Sequence, residues 1–88
     1  MACYNLMLKQ DRDKLRQERT AELRAVQDGT WPRSIDDSMR WLNAPTDGLA
    51  RPEVNRRLRA EYAARMCQAD LNYLKDLEKR IASGEYPC

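Results

Sequence analysis

The stretch "RPEVNRRLRAEYAAR", residues 51 to 65, holds five arginines against two glutamates. Guanidinium groups make paired hydrogen bonds with carboxylates and phosphates, so this is where the chain is best equipped to meet a charged partner. The placement runs against local preference, because a helix N-terminus carries partial positive charge and favours acidic residues. Arginine outnumbers lysine twelve to four throughout the chain. A GC-rich coding sequence is the bland source of such a bias, and contact with a partner is the functional one.

Other chemistry is sparse. There is no histidine, hence no imidazole base, no Ser-His-Asp triad and no Cys-His pair. Glycine-rich phosphate loops and dinucleotide fingerprints are also missing. Cys3, Cys67 and Cys88 are scattered without a C-x-x-C pair, so neither a structural zinc site nor any other metal site is expected. They read as free thiols, with Cys67 a small core residue and Cys3 and Cys88 at the two ends. Asp36 and Asp37 are neighbours, and adjacent helical residues diverge by about 100°. They cannot converge on one substrate atom, and Asp37 is better placed as a capping group. An enzyme is not expected, nor is a cofactor.

The elements that position these residues are helical. Charged residues make up 34% of the 88 and apolar residues 42%, with no Phe and few β-branched side chains. The chain is expected to be one all-α domain over 1–88, with three helices in a long–short–long arrangement. They are placed at about 6–27, 35–43 and 52–83, joined by connectors at 28–34 and 44–51. Asn5 is the expected N-cap of the first helix and Gly29 its left-handed stop. Tyr4, Leu8, Leu15, Leu23 and Val26 share one narrow arc of it, with Arg12 and Arg19 on the same side. Ser34 and Asp37 resemble a capping box. Pro52 suits the first position of the third helix, and Gly84 suits its end. The reading is a helical hairpin closed by the short middle helix.

The faces assign roles. On the short helix Ile35, Met39 and Leu42 form the expected inward face, with Trp41 turned about 100° away. Trp31, before Pro32, reads as an aromatic plug that closes the otherwise open end of the hairpin beside the short helix. On the third helix the apolar stripe is Val54, Leu58, Tyr62, Met66, Ala69, Tyr73, Leu77 and Ile81, with a second row at Ala63, Cys67, Leu71 and Leu74. The third helix outruns the first, so Leu58, Tyr62 and Met66 are expected to lack cover and to mediate a homodimer. Arg56, Arg57 and Arg59 spread around the exposed perimeter, while Arg65 lies beside the seam. With Arg40 and Trp41 they make up the expected partner-binding surface, directed at an acidic patch on another protein.

The function expected from this pattern is a small non-enzymatic interaction module, an adaptor or inhibitor that covers a partner's surface. Accessory proteins of bacteria and phages are often of this size, although no motif points to such an origin. The alternative is a nucleic-acid-associated protein whose dimer pools two basic patches. It is weakened by a net charge of only 16 − 14 = +2 and by arginines that do not line one ridge. With no long apolar run and no basic, apolar leader, a membrane partner is not expected and a cytoplasmic location is.

Overall fold

The computed structural model describes residues 8–85. Tyr4 and Asn5, together with Cys3 and Cys88, lie outside them. Helix α1 spans Lys9–Asp28, α2 spans Ile35–Arg40 and α3 spans Pro52–Ala82. The long–short–long arrangement is as the sequence predicts. It forms an elongated hairpin of 52 × 22 × 19 Å. Length is set by α3, whose 31 residues at about 1.5 Å each account for roughly 46 Å.

Of the five termini the sequence marks, Asn5 lies outside the described residues and α1 begins at Lys9 with Leu8 as its N-cap; three of the other four follow local chemistry. Gly29 sits at φ 78° in the left-handed region, its N–H bonded to Val26 O while Thr30 N–H reaches back to Ala25 O. Gly84, at φ 80°, repeats the pattern, with Gly84 N–H to Ile81 O and Glu85 N–H to Arg80 O. These paired bonds satisfy carbonyls that the last turn leaves without partners. Pro52 opens α3, where its missing N–H costs nothing. The exception is α2. Ser34 makes no capping bond through its side chain. Instead the Asp37 carboxylate accepts a hydrogen bond from Arg33 N–H at 2.9 Å.

The seam between α1 and α3 is built on alternating steps of three and four, the spacing of a left-handed coiled coil. On α3 it runs through Ala60, Ala63, Cys67, Asp70, Leu74, Leu77 and Ile81, all buried or half-buried. It takes Ala63, Cys67 and Leu74 from the second predicted row and Leu77 and Ile81 from the first, with Asp70 at the place expected of Leu71. Ala69 and Tyr73, from the first predicted row, are exposed. A stripe with steps near four drifts around a helix of 3.6 residues per turn, so one straight neighbour cannot cover all of it. On α1 the matching positions are Arg12, Leu15, Arg19, Glu22 and Val26, again in steps of three and four. Leu8 stands outside the contact and is exposed.

The expected gap over Leu58, Tyr62 and Met66 is closed by the chain itself. Trp41 meets the Tyr62 ring edge-on at 6.1 Å between centroids, and Tyr62 and Met66 pack on the core of Ala25, Trp31, Trp41, Ala63 and Cys67. Leu58 is half-buried. Connector 41–51 is tied down by Asn55, which accepts from Asp47 N–H and donates to Asp47 O, each at 2.9 Å. The premise for self-association through Leu58, Tyr62 and Met66 therefore does not hold. Trp41, at the head of the connector, supplies part of the cover expected of a second copy.

Candidate interaction surface

Two charged side chains are among the most deeply buried at the closed end of the hairpin. Glu22, on α1, has no solvent exposure. Its Oε2 accepts both tryptophan indoles, Trp31 Nε1 at 3.0 Å and Trp41 Nε1 at 2.7 Å. Its Oε1 accepts Arg40 Nη1 at 2.7 Å. A carboxylate withdrawn from water is tolerated only when its lone pairs are met, and here three donors from three segments meet them. Asp37, on α2, is equally buried. It takes two side-chain hydrogen bonds from Arg33 at 2.9 Å and one from Arg40 Nη1 at 3.3 Å. The Arg33 hydrogen bonds hold its carboxyl down at about 2.

The remaining walls of this hub are small or paired. Ala25, Ala63 and Cys67 leave room for the two indoles. Burial, followed by the negative charge of Glu22, pushes the Cys67 thiol up to about 12. A thiol so placed stays protonated and is not a nucleophile. Arg19 lies over the Trp41 ring at 5.8 Å and donates to Asp70 at 2.8 Å. Among the described residues no cluster of His, Cys, Asp or Glu could hold a metal ion, and no helix is long and apolar enough to cross a membrane.

This hub fixes the orientation of α2 and reverses its expected faces. Asp37 and the following Trp41 point inward. Ile35, Met39 and Leu42 point outward, with 77%, 57% and 59% of their surfaces exposed. The helix expected to reach Asn43 stops at Arg40, so Ile35 and Met39 share the outer face of α2 and Leu42 follows just past its end; together they leave an uncovered apolar strip where the sequence marks core. Leu49, in the next connector, is 99% exposed. Two of the expected partner-binding residues are correspondingly taken up inside the fold. Trp41 is buried and bonded to Glu22, and Arg40 is half-buried between Glu22 and Asp37. The sequence placed Trp41 off one face correctly, but that face is the outer one.

Arg56 and Arg57 are exposed and Arg59 is half-buried. Arg56 and Arg59 line an open groove between α2 and the start of α3, together with Pro32, Ser38, Pro52 and Asn55. Arg56 and Arg57 line a second, adjoining groove over Val26, Trp31 and Ala60. Glu22, the acceptor at the centre of the hub, is not among the residues the sequence singles out. Its signal was its spacing, three after Arg19, seven after Leu15 and four before Val26, which puts an acidic residue on the seam. Comparison with protein-family models, curated proteins and solved structures finds no match for the chain.

Proposed function

We propose that this chain is a non-enzymatic protein-interaction module whose primary docking face is the outward strip Ile35, Met39 and Leu42. The supporting observation is the reversal of α2, in which charged and aromatic side chains are buried while three large aliphatic ones are left in water. Exposing them forgoes about 25 cal/mol for each Å² of apolar surface left uncovered. Exposed apolar patches commonly mark sites where another protein binds. Anchors at spacings of four and three residues suit insertion into an apolar groove on a partner. The absence of histidine, the protonated Cys67 and the consumption of Glu22 and Asp37 by arginines and indoles all favour binding over catalysis. A reduced, cytoplasmic setting suits the buried free thiol.

The test is a variant with Ile35→Ser, Met39→Ser and Leu42→Ser, compared with the wild type by chemical crosslinking and identification of the bound protein. The reading requires that the variant keep the wild-type melting temperature and lose the crosslinked partner. A variant that keeps the partner removes α2 from the interface. Light scattering at high micromolar concentration in the same series separates a foreign partner from a second copy of the chain.

A further inference from the structure

Among the described residues, seven of the twelve arginines have an ion pair, a hydrogen bond or a ring contact: Arg12, Arg16, Arg19, Arg33, Arg40, Arg65 and Arg80. The five whose side chains have none are Arg24, Arg51, Arg56, Arg57 and Arg59. Four of these five fall between residues 51 and 59, where Glu53 is the only acidic residue. Acidic residues are within helical reach, with Glu53 four before Arg57 and Glu61 four after it, yet none is paired with an arginine. A solvated rod would scatter its free cations or pair them at such spacings. The concentration at one end is a local feature of the fold.

Those arginines border the strip on α2. Around a helix turning about 100° per residue, Ser38 lies between the inward Asp37 and the outward Ile35 and Met39. Ser38 is also the α2 residue that lines the groove of Arg56 and Arg59. Apolar strip and guanidinium groove are therefore neighbouring parts of one surface.

We propose that the groove between α2 and the start of α3 takes an acidic segment of the partner protein, whose carboxylates pair with Arg56 and Arg59 while its apolar side chains meet α2. This rests on the interaction reading above and adds the charge of the occupant. Carboxylates suit the site better than a phosphodiester backbone. The adjoining groove is lined by Glu53 and Glu61 as well as by arginines, and its floor includes Val26, Trp31 and Ala60. Closely spaced phosphates would be repelled by the glutamates and gain little from the apolar floor, and the whole chain offers a net charge of only +2.

The probe is a short synthetic peptide of glutamates with interspersed leucines. Its lysine counterpart and a single-stranded oligonucleotide serve as comparisons, and all three are titrated against the full chain while amide chemical shifts are followed. The acidic peptide should shift Ser38, Asn55, Arg56 and Arg59, and raised salt should weaken it. Arg56→Ser with Arg59→Ser should lower its affinity about tenfold or more with the melting temperature unchanged. Arg24→Ser, which removes one unpaired charge elsewhere, should change it less than about twofold. Equal loss in the Arg24 variant, indifference to the double variant, or tighter binding of the oligonucleotide overturns the proposal. The variant of the α2 strip, run in parallel, keeps the two readings apart. Loss of the natural partner there, with the peptide still indifferent to Arg56 and Arg59, sinks the acidic groove and leaves the docking strip standing.

Discussion

Two ends of the same hairpin join arginine to carboxylate in different ways. At the closed end, Arg40 meets Glu22 with side-chain exposures of 29% and 0%. Towards the open end, Arg16 meets Glu78 with exposures of 39% and 41%. Between them, Arg19 pairs with Asp70 at 2.8 Å, with exposures of 14% and 35%. The chemistry is constant and the solvent is not. Attraction between charges grows as water is excluded, but so does the cost of leaving one partner alone. The three pairs therefore form a series along the rod. At one end an ion pair decides where a whole helix sits, and at the other it decorates a contact that apolar residues already define.

The strongest test of the contrast removes the hub. Glu22→Ala leaves two indole N–H groups and Arg40 without their acceptor, and should destabilise the fold by about 3–5 kcal/mol. Trp41→Ala should cost a similar amount, about 3–5 kcal/mol, through the cavity it leaves. Chemical denaturation measures both, and tryptophan emission should shift to the red in Glu22→Ala as the closed end opens. A loss below about 1 kcal/mol in either variant would make the hub an ornament and return Trp41 to the list of docking residues.

An intermediate effect is expected from pH. The folded carboxyl of Asp37 lies at about 2, below the roughly 3.9 of an unfolded aspartate. Its contribution is thus complete above about pH 5 and is lost as pH falls from about 4 to about 2. Arg33 is 38% exposed, which lowers the expected contribution to about 1–2 kcal/mol. Measured against pH, the stability difference between wild type and Asp37→Asn should be flat near neutrality and vanish towards pH 2. A difference that persists unchanged at pH 2 would mean that Asp37 acts by shape and not by charge.

The same contrast explains what the sequence makes legible. Long helices with a single neighbour reveal themselves through caps, breakers and period, which is why α1, α3, Gly29, Pro52 and Gly84 can be read in advance. Trp31 as a plug is equally readable, since a large aromatic beside a turn has few other places to go. The short helix is different. Six residues provide too little periodic signal to outweigh three hydrogen bonds to the buried Glu22, so Ile35, Met39 and Leu42 look like core while Asp37 and Trp41 take that place. A face chosen by apolar count alone presumes that burial is hydrophobic. At this end burial is polar, and its acceptor lies thirteen residues or more from α2, on another helix. The exposed arginines of α3 were readable as exposed, while the absence of partners for Arg56, Arg57 and Arg59 required the fold.

The smallest effect belongs to the open end. Glu78→Gln removes the charge from a pair that water reaches on both sides, and exposed pairs of this kind contribute about 0.2–1 kcal/mol. For a domain of this size, where each kcal/mol moves the midpoint by roughly 4–8 °C, that corresponds to a melting shift of about 1–8 °C. A double-mutant cycle with Arg16→Gln isolates the coupling from the side effects of each change. Its coupling energy should be the least of the three pairs and should fade with added salt, because a contact open to solvent is screened. The corresponding cycle on Arg40 and Glu22 should keep most of its coupling at the same salt concentration. Arg16 also bonds Asp13 at 2.9 Å, so a guanidinium deprived of Glu78 retains a partner on its own helix, which lowers the cost further. If Arg16 and Glu78 couple as strongly as Arg40 and Glu22, exposure does not grade the series. The closed end would then lose its claim to be the part of the molecule where a buried ion pair matters most.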